Sequence, residues 1–260
     1  MGLTLPLATV EIIMLAGVRI AAFLVIAPPF SHRAIPGRVK AMLALALGLV
    51  AAPRAAAAAG TEVGSAIASG TAVFIGQLLL QVVIGGALGF LVALVFAAVQ
   101  SAGNLIDLFG GFQLAAAFDP MSQSNGAQFS RLYTMTAIVL LFASDAYQVV
   151  IGGLTRSFDA LPLGTALDLA AMGQAVTTGL TEMFLSALQV AGPLIVVLFL
   201  ADVGLGLLTR VAPALNAFAL GFPLKILITV SLGATAYLAV PQLISALTDT
   251  AVTTVLEVAR

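Results

Sequence analysis

An all-α membrane protein is the fold class this sequence predicts, and three observations predict it. Of its 260 residues, 61% are hydrophobic and only 8% are charged. The mean hydropathy is +1.16, well beyond any ordinary water-soluble domain. Apolar runs recur near residues 7–30, 41–53, 71–99, 132–154, 174–200 and 214–240, and most reach the roughly 20 residues that a helix needs to cross the hydrocarbon. About six hydrophobic segments follow, the second being the shortest.

The first run has no Lys or Arg before it, carries Glu11 and Arg19, and lacks a small-residue cleavage site at its end. It reads as a span and not as a signal peptide. Arg33, Arg38 and Lys40 cluster between the first and second runs, whereas the next connection offers only Arg54. By the positive-inside rule the first loop is cytoplasmic, which on six crossings puts both termini outside.

In the third run Gln81, Gly85, Gly89 and Ala93 recur every four residues, a spacing that keeps most of them on one helix face. Small residues so arranged let backbones touch, and Gln77 and Gln81 add the capacity for interhelical hydrogen bonds. Gly85 and Gly89 are therefore expected to pack, within this chain or against another subunit.

Residues 104–126, NLIDLFGGFQLAAAFDPMSQSNG, make neither a good span nor a good surface loop. Phe109-Gly110-Gly111-Phe112 couples apolar bulk to two residues of nearly free backbone, and Asp119-Pro120 disfavours helix afterwards. Two readings stand. An apolar constriction formed by Phe109, Phe112 and Phe118 resists water and ions by dewetting, with Gly110 and Gly111 letting it move aside. Alternatively the segment is a re-entrant hairpin packed between helices.

The fifth run carries Gly179, Glu182, Ser186, Gln189 and Pro193 at spacings of 3, 4, 3 and 4, a stripe about 80° wide on a helix. A carboxylate in mid-span costs at least ~2.5 kcal/mol, so Glu182 should face water or a partner and not lipid. Ser186 and Gln189 extend that face. Glu11, Arg19, Asp145 and Asp202 pose the same question singly: each is a paired, silent charge, or together they serve an ion-coupled transporter using Glu182 and Asp145.

The chain has no cysteine and one histidine, His32, which excludes disulfides, thiolate metal sites and multi-histidine metal sites. No cofactor is expected, and no enzyme of the usual kinds. The net charge of −1 comes from scattered residues, so no basic face is expected to hold nucleic acid. Trp is absent and Tyr occurs three times, although lipid-facing helices usually carry aromatic belts. Either few helices face lipid, or a GC-rich genome has favoured Ala over bulkier residues.

The last third, ADVGLGLLTRVAPALNAFALGFPLKILI at 201–228, resembles the FliR family of the flagellar type III secretion export gate, whose virulence counterparts form the SctT group. APPFSHRAIPGRVKAMLALAL (27–47), the 104–126 stretch with its Asp-Pro, and FDALPLG (158–164) match in order, so the resemblance spans nearly the whole chain. Ala201-Asp202, Leu205-Gly206-Leu207 and Ala217 through Pro223 resemble the flagellar branch. The resemblance implies a FliP-like portion, 1–172, followed by a FliQ-like portion, 173–260, both built of bent helical hairpins. It implies one copy of this chain closing a helical ring with five copies of FliP and four of FliQ. FlhB, FlhA and unfolded flagellar export substrates are further expected partners, in the bacterial inner membrane at the flagellar basal body. It also places a plug loop at 104–126, making Phe109, Gly110, Gly111, Phe112 and Phe118 the expected pore plug. The subunit-packing faces would then hold Gly85, Gly89, Glu182, Ser186 and Gln189.

Overall fold

The computed structural model describes residues 7–59, 70–113, 127–165, 168–212, 217–242 and 244, and among these every regular element is a helix. The helices are α1 (Leu7–Ile26), α2 (Gly37–Ala59), α3 (Thr71–Phe109), α4 (Gln128–Ala143), α5 (Ala146–Ala160), α6 (Leu169–Val211) and α7 (Ala217–Tyr237). Five are long and apolar enough to cross a membrane, six if α4 and α5 count as one broken span. The fold is thus the expected all-α membrane type.

Two helices exceed what hydropathy alone suggests. The run at 71–99 lies in a helix of 39 residues and the run at 174–200 in one of 43, about 58 and 64 Å at 1.5 Å per residue. Either outruns a hydrocarbon core of roughly 30 Å. The run at 132–154 is not one helix: it breaks at Ser144-Asp145, where Asp145 adopts a left-handed φ of 58°. No Gly or Pro marks that break, but Asp tolerates the left-handed region better than most residues.

By compactness the chain groups into two units that are not sequential. The first takes α1, α2, α3 as far as Leu94, α5, and α6 as far as Leu180; the second takes the remainder of α3 and α6 with α4 and α7. This grouping concerns packing and is separate from the expected likeness of 1–172 and 173–260 to two other proteins.

In the first unit α1 and α2 form an antiparallel hairpin. A Cβ at Gly48 would stand 3.0 Å from Gly17 Cα, so the two glycines set the distance between the helices. The residues that α2 buries are all small: Ala44, Gly48, Ala51, Ala52, Ala55 and Ala59. Outward it presents Met42, Leu45, Leu49 and Val50. Small inside and large outside inverts the water-soluble pattern, and suits a helix whose outer face meets hydrocarbon.

Arg19 lies at the centre of that unit, fully buried. Its Nε donates to Gln81 Oε1 of α3 at 2.7 Å. Nη1 donates to the Ser157 carbonyl and hydroxyl of α5 at 3.0 and 3.3 Å, and Nη2 to the Leu161 carbonyl at 2.8 Å. The guanidinium also lies 4.3 Å from the centroid of the Phe158 ring. The FDALPLG motif thus closes over a cation: Phe158 covers its face, Leu161 accepts from it, and Leu163 is buried.

Candidate functional site

The second unit assembles the residues around Phe109-Gly110-Gly111-Phe112. Residues 104–109 continue α3, so the first quarter of the expected plug loop is helix. The helix stops at the glycine pair: Gly110 N–H still reaches the Ile106 carbonyl at 2.8 Å, and Gly111 turns left-handed at φ 83°. That is how a glycine ends a helix. Both glycines also sit close to α7. A Cβ at Gly110 would lie 2.7 Å from Thr229 Oγ1, and one at Gly111 3.4 Å from the Phe222 ring.

Phe112 meets Phe129 of α4 edge to face at 5.5 Å between centroids, and Phe129 meets Tyr133 likewise at 6.2 Å. Tyr133 is tilted against Tyr237, whose hydroxyl shares a 2.9 Å hydrogen bond with Thr136. Phe129 also packs on Gly233 of α7, where a Cβ would stand 2.6 Å from its ring. Phe118, with the rest of 114–126, lies outside the described residues.

One residue of this cluster escaped the sequence reading. Asp107, fully buried, accepts hydrogen bonds from the backbone N–H groups of Phe129 and Ser130, each at 2.9 Å. A carboxylate from α3 therefore caps α4, satisfying first-turn amides that have no partner inside their own helix. Gly103 makes the approach possible, because a Cβ there would lie 2.4 Å from Ser130 Cα. Both ends of the 114–126 segment are thereby fixed to one scaffold. The available signal was an Asp between leucine and isoleucine neighbours in Leu105-Ile106-Asp107-Leu108, which an apolar helix tolerates only with a partner.

Replacing Asp107 with Leu should strip both bonds from the α4 start, destabilising it by roughly 2–3 kcal/mol. Asp107→Asn retains one acceptor and should lose about half as much. Hydrogen exchange at the Phe129 and Ser130 amides reads the effect directly; protection equal to wild type in the Leu variant would show that the cap contributes nothing.

The other expected site residues sit as follows. Gly85 and Gly89 meet α1 of the same chain: a Cβ at Gly85 would lie 2.0 Å from the Arg19 carbonyl oxygen, and one at Gly89 2.9 Å from that of Phe23. On α6, Ser186 is buried, Glu182 half-buried and Gln189 exposed, so the stripe does not share one environment. Gln189 and Pro193 line a cleft of about 310 Å³ with Val190, Leu194, Leu232 and Thr235. Asp145 is exposed at the α4–α5 break and makes no side-chain cap bond. Among the described residues neither Asp145 nor Glu182 forms an ion pair.

Asp202 does have a partner. Its Oδ1 lies 2.7 Å from Lys225 Nζ, which ties α6 to α7 and joins two charges of the 201–228 motif. Arg54 likewise pairs with Asp159, its Nε donating to the carboxylate at 2.8 and 2.9 Å. No group of three or more His, Cys, Asp or Glu side chains able to hold a metal ion occurs among the described residues.

Comparison of the sequence with known proteins finds a family and several relatives. The family described as Bacterial export proteins, family 1, matches residues 10–251. Flagellar biosynthetic protein FliR of Escherichia coli (strain K12) is 36% identical over 82% of this chain and 79% of its own length. FliR of Bacillus subtilis (strain 168) is 27% identical over 83% and 82% respectively. Yop proteins translocation protein T of Yersinia pestis is 30% identical, over 56% of each chain.

Proposed function

We propose that this chain, which belongs to the bacterial export proteins of family 1, is a membrane subunit of the flagellar type III protein-export gate. The observation that carries the reading is its 36% identity to a flagellar FliR across four-fifths of both chains. The matched share of the virulence protein is smaller, which favours the flagellar branch. In this reading the chain sits in the bacterial inner membrane at the flagellar basal body. It assembles with five copies of FliP and four of FliQ, next to FlhB and FlhA, and conducts unfolded flagellar substrates.

Within that assembly Phe109 and Phe112 belong to an apolar seal around the polypeptide path, completed by Phe118. The cluster of α3, α4 and α7 acts as the seal's fixed base. Apolar bulk at a constriction keeps out water and ions by dewetting, while Asp107 and Gly103 hold the two ends of the 114–126 segment together. Gly110 and Gly111 supply close packing and a helix stop at that base, so valine at either position would disturb α7 or the turn directly.

The test has two parts. Deleting the chain from a flagellated host should abolish secretion of filament protein, and the intact mass of the purified assembly should match unequal numbers of FliP and FliQ with one copy of this chain. An ion-coupled transporter using Glu182 and Asp145 would instead purify as a monomer or symmetric homo-oligomer. Then Phe109→Ala with Phe112→Ala, at equal levels of assembly, should raise ion leak and sensitivity to small toxic solutes several-fold while secretion continues. Leak equal to wild type in a normal assembly would remove these phenylalanines from the seal.

A further inference from the structure

The turn between α1 and α2 carries Arg33, Arg38 and Lys40, and no acidic residue occurs between Glu11 and Glu62. Arg33 and Arg38 are exposed. Lys40 is half-buried and donates to the Ser31 carbonyl at 2.9 Å. None of the three forms an ion pair among the described residues, whose two ion pairs lie elsewhere, at Arg54–Asp159 and Asp202–Lys225.

The turn is internally ordered. Ser31 N–H donates to the Ala27 carbonyl at 3.0 Å, His32 N–H to that of Pro29 and Ile35 N–H to that of His32, both at 3.1 Å. Ala34 N–H donates to His32 Nδ1 at 3.1 Å. The cations are therefore mounted on a fixed platform.

What continues from that platform decides its use. Arg38, Met42, Leu45 and Leu49 follow at steps of 4, 3 and 4 and so share one face of α2. Met42 is 71% exposed and Leu45 and Leu49 61% each. The adjoining face of α2 carries the small residues that pack inside the chain. A row of large apolar side chains thus runs outward from a guanidinium, at the shared end of two helices long and apolar enough to span a membrane. Hydrocarbon suits the row and a headgroup layer suits the cations. Trp and Tyr do not occur in residues 1–132, so these cations, with His32 beside them, take the place of an aromatic belt at that level.

We propose that the α1–α2 turn is a binding site for an anionic phospholipid. Arg33 and Arg38 take the headgroup phosphate, Lys40 adds positive charge from the other side of α2, and an acyl chain lies along Met42, Leu45 and Leu49. Charge complementarity selects the occupant: three cations with no ion pair among the described residues favour an anionic headgroup over a zwitterionic one. The site is independent of the export reading, since it rests on this hairpin alone.

The test uses the full-length chain, with whatever copurifies, extracted from membranes. Native mass spectrometry counts phosphatidylglycerol retained through detergent washing, and thermal melting compares nanodiscs of phosphatidylcholine with nanodiscs containing phosphatidylglycerol. Neutralising one cation should weaken phosphatidylglycerol retention about fivefold, and Arg33→Gln, Arg38→Gln and Lys40→Gln together about a hundredfold. The double variant Arg33→Lys with Arg38→Lys should keep most of it, and added salt should weaken wild-type retention. If the triple variant fails to accumulate, Arg33→Gln alone still tests the idea, because that side chain is exposed and holds no ion pair. Equal phosphatidylglycerol in wild type and the neutralised variants overturns the proposal, as does equal retention of phosphatidylcholine. Loss of an acidic protein partner with lipid unchanged overturns it too, and reassigns the turn to protein.

Discussion

Gly85→Leu should leave almost no folded chain, and Gly85→Ala should already be severe. The Cβ that alanine adds would stand 2.0 Å from the carbonyl oxygen of Arg19 and 2.8 Å from its carbonyl carbon. Those are backbone atoms of a helix and cannot rotate away. Relief requires α1 to move off α3, which would open the contact at Gly89 as well, where a Cβ would meet the Phe23 carbonyl at 2.9 Å. Overpacking usually costs about 1–3 kcal/mol; a clash with backbone on both sides of a helix crossing should exceed that range. The controls are on the same helix. Gly86→Ala would bring its Cβ only to 3.4 Å from Ile26 Cδ1, a side-chain end, and Gly76→Ala meets nothing within 4 Å. Both should be tolerated or slightly stabilising, since alanine favours helix over glycine by roughly 1 kcal/mol. Full-length chain in membranes and protease resistance of the solubilised protein measure all four variants. Normal accumulation of Gly85→Ala would show that α1 and α3 do not cross as described.

The contrast between Gly85 and Gly86 also marks what the sequence made legible. Four-residue spacing of Gln81, Gly85 and Gly89 identified the face on which backbones meet, because close approach demands small residues at that period. It could not identify the helix that arrives there, and that helix proved to be α1 of the same chain. Composition gave the class and the existence of the apolar segments. It did not give the ends of α3 and α6, because helix continues past the point where hydropathy fades: Gln100, Asn104 and Asp107 lie within α3. The break at Ser144-Asp145 was hidden for a different reason. It depends on one Asp taking a left-handed conformation, and no Gly or Pro announces it. At the candidate site the Phe-Gly-Gly-Phe stretch stood out by residue type. The two features that position it, the Asp107 cap and the Gly103 approach, depend on residues 22 to 27 positions away, a distance at which spacing carries no signal.

Arg19 presents the same lesson with a larger energy at stake. As a lone cation in an apolar run it suggested an ion pair, yet all its hydrogen-bond acceptors are neutral: an amide oxygen, two carbonyls and a hydroxyl. Three helices' worth of geometry converge on one planar fork, and that makes the shape of the group as consequential as its charge. Lysine keeps the charge but is a point donor on a flexible stem, unable to reach α3, α5 and the Leu161 carbonyl together. Arg19→Lys should therefore be nearly as damaging as Arg19→Met, each losing roughly 3–5 kcal/mol by the scale of hydrogen bonds to buried charge. Gln81→Leu should also be harmful, because it strips the acceptor from Nε and leaves a buried cation short of a partner. The combination Arg19→Met with Gln81→Leu should be milder than the sum of the two, since it removes donor and acceptor together and fills the site with apolar groups. Thermal melting of the solubilised protein, run on the four variants and wild type, gives the cycle. A Lys variant that melts with wild type would mean that charge alone matters at Arg19, and that the four-point clasp on Gln81, Ser157 and Leu161 is incidental.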